Sequence, residues 1–231
     1  MFSLTPDPQK VSYFLCGSNL SHTATEKELG LIAMGKLDTS SNYPGDTSKA
    51  YGVLYSASRQ LSALTPELFL KLYKTYIRPH LEVNNVFAPP QLKRGMNPLD
   101  KVQRRVTKGV VGMQQKLYED QLKDLGLYSV SFRRLRGDLI MDYKILNNPS
   151  HPNRGILPSG HYGNFLGSPK RIAHQRSKTH VCSHFFLLRV CGHWNALPTE
   201  VVSTPSVESF EKGLDSHSET HSLPKCSRNT N

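Results

Sequence analysis

The 231-residue sequence has few cysteines, no long apolar run and few acidic residues. Its four cysteines are too few for the disulfide scaffold of a small secreted protein, so we expect an intracellular location, cytoplasmic or nuclear. No apolar run approaches the roughly 18 residues that a membrane-spanning helix needs, which predicts no membrane insertion. The first ten residues contain two prolines and one acid where a signal peptide carries basic residues, so we expect no secretory leader.

The sequence patterns of familiar catalytic sites are also missing. There is no Asp-Asp pair, glycine-rich phosphate loop, nucleophile elbow or His-Glu-x-x-His pattern. The nearest carboxylate groups are Glu26 with Glu28, and Glu119-Asp120 with Asp124, which we interpret as solvated surface charge. We therefore expect no self-contained enzyme and assign no catalytic residue.

Histidines and cysteines cluster between residues 174 and 193. They lack the spacing of two to four residues around a turn that structural zinc sites use, so scattered polar or core residues are the preferred interpretation. We assign no metal ligand and no cofactor. The residues concerned are His174, His180, Cys182, His184, Cys191 and His193.

Basic residues are in excess. Lys and Arg number 29 against 18 Asp and Glu, which gives a formal net charge of +11. Such an excess favours a polyanionic partner, nucleic acid before an acidic membrane surface.

The predicted fold class is mainly α, with a β-hairpin near the N-terminus. The apolar alternation at Val11, Tyr13 and Leu15, followed by a turn at residues 17–19, predicts a strand that pairs with residues 29–32. Residues 38–49 are predicted to form a polar loop. A helix is predicted to start at Thr65-Pro66-Glu67 and to end or kink at Pro79.

The remaining helices follow from caps and apolar periodicity. Asn97-Pro98 predicts a helix start, residues 118–125 a short helix that stops at Gly126, and residues 131–147 a longer helix. Residues 148–179 are predicted to be a long loop and residues 181–194 a β-compatible stretch. A last helix is predicted over 206–215, and Trp194 is assigned to the core rather than to base stacking.

The predicted helix after Pro98 is the most amphipathic segment. Its apolar residues fall within an arc of about 80°, and four cations fall on the opposite side. The stripe consists of Leu99, Val102, Val106, Val110 and Met113. The cations are Lys101, Arg104, Arg105 and Lys108, which we predict to contact nucleic-acid phosphates, with a second set at Arg133, Arg134 and Arg136. The alternative is an ordinary solvated face.

Four segments in order resemble the region downstream of the catalytic palm in reverse transcriptases of non-LTR (LINE-type) retrotransposons of the jockey and chicken-repeat kind. Residues 72–82 resemble the thumb segment, and residues 99–108 resemble its next helix. Residues 133–140 and 194–198 resemble the segments that follow in these reverse transcriptases, in the same order and at the expected spacing. The likeness covers roughly residues 11–215, and residues 27–30 resemble the segment after the palm, where Leu29 and Gly30 would shape the primer grip.

This resemblance implies an RNA-directed DNA polymerase fragment with RNA, DNA or RNA–DNA hybrid as partner. The magnesium-binding carboxylates of the family would lie upstream of Val11, so we expect a non-catalytic, nucleic-acid-binding chain. The implied parts are an irregular N-terminus (1–10), a primer-grip-like β-hairpin (11–36), a thumb-like helical bundle (50–148), a loop-rich C-terminal region (149–215) and a disordered tail (216–231).

Two alternatives to this function stay open. The chain is either a protein-interaction module that uses apolar surface left by the missing palm, or a decayed element copy without function. Asp142 fits decay, since it lies at the edge of an apolar face where a small apolar residue is more usual.

Overall fold

The computed structural model describes residues 13–20, 23, 25–28, 31–34, 42–60, 63–82, 93–153, 171–172 and 186–220. Within them the protein is mainly α-helical, as predicted. The helices are α1 (Asn42–Gln60), α2 (Pro66–Leu72), a π-helical turn (Tyr73–Ile77), α3 (Arg78–Glu82), α4 (Lys93–Lys108), α5 (Tyr118–Asp124), α6 (Val130–Asn147), α7 (Phe186–Asn195), α8 (Thr199–Val202) and α9 (Val207–Thr220).

The N-terminal strands form two separate antiparallel hairpins. Strand β1 (Tyr13–Leu15) pairs with β2 (Ser18–Leu20), and β3 (Thr25–Glu28) pairs with β4 (Leu31–Met34). Cys16 and Gly17 both have positive φ angles, of 49° and 80°, as a tight two-residue hairpin turn requires. The predicted pairing of the first strand with residues 29–32 is therefore wrong, because each strand pairs with its nearest neighbour and closes the shortest loop.

Two predicted helix caps, at Thr65 and Gly126, are confirmed. Thr65 accepts a hydrogen bond from the Leu68 amide at 3.4 Å and caps α2. Gly126 has φ of +60° after α5, and the amide of Leu127 donates to the Leu122 carbonyl at 2.8 Å. These are the features of a Schellman motif, which accommodates glycine without strain.

The predicted helix start at Asn97-Pro98 is wrong, because α4 begins at Lys93 with Pro98 inside it. Of the two alternatives predicted at Pro79, an ending does not occur, since the helical segment that starts at Pro66 runs to Glu82. The π-helical turn ends directly before Arg78, whose amide donates to the Tyr73 carbonyl five residues earlier. This wider turn precedes Pro79, which has no amide hydrogen to donate.

Helix α1 covers residues 42–49 of the predicted polar loop. Pro44 lies in its first turn, where a missing amide hydrogen leaves no helical bond unmade. The side chain of Asn42 accepts from the Ile32 amide at 2.6 Å and donates to the Ile32 carbonyl at 3.0 Å. This contact joins the start of α1 to β4, a long-range partner that the local sequence does not reveal.

Helix α7 replaces the predicted β-compatible stretch over residues 186–194. Phe186, Val190 and Trp194 recur every four residues and are all buried, which is the helical period. Trp194 is a core residue, as predicted. Its neighbour Asn195 bonds both the amide and the carbonyl of Ile172, at 3.0 and 2.8 Å, and so fixes residue 172 against α7.

The buried apolar residues form two clusters that α6 connects. One cluster runs from Ala50 to Val130 and holds α1 to α4 together. The other runs from Leu139 to Leu214 and includes the stacked rings of Tyr143 and Phe210, whose centroids are 4.5 Å apart. Helix α9 extends to Thr220, so the first residues of the predicted tail are helical.

Candidate nucleic-acid interface

Helix α4 places its apolar stripe in the core, as predicted. Leu99, Val102 and Val106 are buried against the first cluster, and so are Val110 and Met113, which lie in the turns after the helix ends at Lys108. Two buried polar side chains fix the helix further. Gln103 donates to the Tyr128 carbonyl at 3.0 Å, and the Thr107 hydroxyl lies 2.8 Å from Gln121 Oε1. The rotation of α4 about its axis is therefore determined by packing on several elements.

The opposite face of α4 carries the four predicted cations. Lys101, Arg104, Arg105 and Lys108 are all solvent-exposed. Among the described residues, no carboxylate forms an ion pair with Lys101, Arg105 or Lys108. At about 1.5 Å per residue the cations extend over about 10 Å. That length equals about three phosphate spacings of about 3.4 Å along a duplex axis, so it matches about four phosphates of one strand.

Arg104 differs from the other three cations because an aromatic ring lies beneath it. Its guanidinium carbon lies 4.0 Å from the centroid of the Tyr118 ring, at the start of α5. Burial raises the pKa of Tyr118, with a further contribution from the nearby Asp100 carboxylate, so the ring is neutral at physiological pH. Sequence reasoning did not identify Tyr118, since fourteen residues of turn and helix separate the pair.

The connection between α4 and α5 is held by one side chain. Gln121 donates from Nε2 to the carbonyls of Met113 and Lys116, at 2.9 and 3.0 Å. Its Oε1 lies 2.8 Å from the Thr107 hydroxyl on α4. This buried network places the N-terminus of α5, and with it Tyr118, beside the cation face.

Arg133 and Arg134 lie inside the protein and not on its surface. Arg133 is 7% exposed, donates to the Tyr73 hydroxyl and has its Nε 3.2 Å from Glu82 Oε1. Arg134 is 5% exposed and donates to the Leu81 carbonyl. In this conformation both guanidinium groups connect α6 to α3, so we leave them out of the proposed interface.

Arg136 is also engaged within the chain. Its Nε and Nη2 donate to the two oxygens of Asp215 at 2.7 and 3.0 Å, and Nη2 donates to Glu211 at 3.2 Å. The hydrogen bond to Asp215 raises the pKa of Arg136. Arg136 therefore joins α6 to α9. Its partners lie 75 and 79 residues away, which is why sequence reasoning did not find them and predicted a phosphate contact instead.

Two carboxylates of α6 are buried. Asp138 makes a bidentate pair with Arg189, with contacts of 2.9 to 3.0 Å. Asp142 is fully buried, and neither of its oxygens has a hydrogen-bond partner among the described residues. The sequence predicted that Asp142 lies at the edge of an apolar face, whereas the structure places it inside that face.

Several predicted features lie outside the described residues, namely Leu29, Gly30, His174, His180, Cys182 and His184. In the part of the chain that is described, no three His, Cys, Asp or Glu side chains are grouped so that they could hold a metal ion. No described helix combines the length and apolarity needed to cross a membrane.

Comparison with protein-family models, curated proteins and solved structures finds no match to this chain. The likeness to retrotransposon reverse transcriptases therefore rests on the sequence segments alone. The geometry of α4 supplies an independent basis for a functional proposal.

Proposed function

We propose that the chain binds nucleic acid through the exposed cation face of α4, as a non-catalytic, thumb-like fragment of a retrotransposon reverse transcriptase. The observation that carries this proposal is the arrangement of Lys101, Arg104, Arg105 and Lys108. All four are exposed along one helix whose opposite face is buried in the core.

Packing gives this face the properties of a phosphate-binding surface. A helix whose rotation is fixed by the core presents its cations in a constant register, which reduces the entropy lost on binding. Lys101, Arg105 and Lys108, which form no ion pair with a carboxylate among the described residues, attract phosphates without first breaking such a pair. The contacts expected are with the backbone, which supports affinity and orientation rather than base sequence preference.

The ligand we propose is an RNA–DNA hybrid, because the resemblance implies a primer–template as the natural partner. Each phosphate contact releases condensed counterions, so binding through four cations weakens steeply as salt rises. Fluorescence anisotropy of the full chain with a labelled RNA–DNA primer–template, titrated at several salt concentrations, measures both the affinity and this dependence.

The decisive variant replaces the four cations of α4 with Ala. The logarithmic salt slope is expected to fall in magnitude by about 3 to 4, at about 0.9 for each lost phosphate contact. The matched control replaces four exposed lysines elsewhere, Lys71, Lys74, Lys144 and Lys212, and so removes the same charge. The control is expected to keep most of the slope. Equal slopes for the two variants would show that only net charge matters and would contradict an α4 interface.

Exposed apolar side chains favour a second candidate function, that of a protein-interaction module. Val111 and Leu117 are 52% and 74% exposed in the connection between α4 and α5, and Phe14 and Leu15 are exposed on β1. Contacts of this kind tolerate salt, unlike phosphate contacts. Salt-resistant self-association in sedimentation, together with no binding of the hybrid at low salt, would favour this function over the first.

A further inference from the structure

We propose that Tyr118 is a positioning residue of the nucleic-acid interface: its ring holds the Arg104 guanidinium in place, so that Arg104 is the pre-ordered contact to phosphate. This inference rests on the proposed function of the α4 face and adds a residue from a different helix to it.

The contact between the two side chains is close. The Arg104 guanidinium carbon lies 4.0 Å from the Tyr118 ring centroid, well within the range of about 6 Å for an attractive cation–π pair. Arg104 nevertheless remains a solvent-exposed residue. Stacking uses the flat face of the guanidinium, whereas its N–H groups point outward in the plane of the group. A stacked Arg104 therefore stays suited to binding a phosphate through its edge.

The Tyr118 ring is itself rigidly placed. Its hydroxyl oxygen is buried, and the residue starts α5 directly after the connection that Gln121 holds to α4. The first turn of α5 thus has a fixed position relative to α4. Contact with this ring restricts the rotamers of the Arg104 side chain before any ligand binds.

This pre-ordering distinguishes Arg104 from its three neighbours. In the described residues, Lys101, Arg105 and Lys108 stack on no aromatic ring. Each of them must be ordered when it binds, and the entropy lost when a long side chain is ordered weakens binding. The Arg104 side chain is already ordered by the Tyr118 ring in the free protein. Removal of the ring is therefore expected to weaken binding without changing the number of phosphate contacts.

The test is a double-mutant cycle in the anisotropy assay with the RNA–DNA primer–template. Tyr118→Leu is expected to weaken binding about three- to tenfold at fixed salt, with the salt slope unchanged. Arg104→Ala is expected to lower the slope by about 0.9. In the Arg104→Ala background, Tyr118→Leu is expected to have no further effect. Tyr118→Phe, which keeps the ring, restores wild-type affinity.

A second variant avoids any disturbance of α5. Arg104→Lys keeps the charge but lacks the planar group that stacks, so it is expected to weaken binding over the same range with the slope unchanged. It is also expected to be insensitive to Tyr118→Leu.

The proposal is overturned if Tyr118→Leu binds like the wild type, or if it weakens binding equally with and without Arg104. The second result would mean that the ring acts only on the fold. If the folded wild-type chain fails to bind the hybrid at low salt, the α4 interface itself is overturned. Failure of this inference alone is distinguishable, because the wild type then binds and Arg104→Ala still lowers the slope.

Discussion

At the residue scale, Asp142 is the clearest conflict between charge and position. It is fully buried on α6, and Asp138 one turn earlier already pairs with Arg189. Burial, and then the charge of Asp138, raise the pKa of Asp142 to about 7. The folded chain therefore favours the protonated acid over a range in which an unfolded Asp is ionised.

This difference predicts how stability depends on pH. Below about pH 4 both states hold the proton, and above about pH 7 neither does. Between these values only the folded chain holds it, so Asp142 makes stability fall as pH rises through this window. Asp142→Asn removes the effect and is expected to raise the free energy of unfolding above pH 7 by up to about 4 kcal/mol. Urea unfolding of the wild type and of Asp142→Asn from pH 4 to pH 8 measures this difference in the free energy of unfolding.

The control for this prediction is Asp124→Asn. Asp124 is an exposed residue at the end of α5, and its Oδ2 lies 2.5 Å from Lys116 Nζ. A surface ion pair of this kind stabilises the fold by less than about 1 kcal/mol. The effect of Asp124→Asn is expected to be small and nearly flat across the same pH range. A stability gain for Asp142→Asn that does not grow with pH would contradict a buried, raised-pKa carboxylate at position 142.

The residue scale also shows where sequence reasoning holds and where it ends. The exposed cations of α4 were predictable, because the apolar stripe opposite them fixes which face is buried. Arg133 and Arg134 were not, because arginine is usually exposed and their burial depends on Glu82, Tyr73 and Leu81 of another helix. Such partners are 50 to 60 residues away, beyond any local pattern.

At the element scale, local signals placed two helix ends well, each at a specific cap. Thr65 and Gly126 are both cap positions in the structure. Prolines were less informative, since Pro44, Pro79 and Pro98 all lie within helical segments. The strand predicted around residues 181–194 is wrong over the described residues 186–194, because a short apolar run fits either the strand or the helix period, and only the buried face of α7 distinguishes the two.

The glycine cap gives a prediction with a matched control. Gly126→Ala forces a side chain into a left-handed conformation, φ +60°, and is expected to lower the free energy of unfolding by about 1 to 2 kcal/mol. Gly52→Ala lies inside α1, where a Cβ meets nothing within 4 Å, and is expected to raise it by about 1 kcal/mol. Thermal melts of the two variants should therefore shift in opposite directions. A rise for Gly126→Ala would contradict the cap.

At the scale of the whole molecule, α6 joins two apolar clusters. Its first half contacts α3 through Arg133 and Arg134, and its second half packs on α7 and α9 through Leu139 and Tyr143. The sequence predicted a mainly helical chain, yet it did not reveal that one helix belongs to both clusters. The contacts of α6 with both clusters, and ion pairs such as Arg136 with Asp215, connect distant parts of the chain.

The α4 interface is thus presented by the first cluster, on the side of the helix opposite the core. The three arginines on α6 belong to internal contacts instead. We propose that the basic residues are divided between an exposed face on α4, which binds nucleic acid, and three arginines at buried or paired positions on α6, which stabilise the fold.

The most direct test is a titration of the isotope-labelled chain with an RNA–DNA hybrid, followed by amide chemical shifts in NMR. We predict shifts concentrated on the exposed face of α4, at Lys101, Arg104, Arg105 and Lys108, and at the start of α5 beside Tyr118. Amides near Arg133 and Arg134 are expected to stay unchanged. Shifts centred on α6 or α9, with α4 unaffected, would contradict the account.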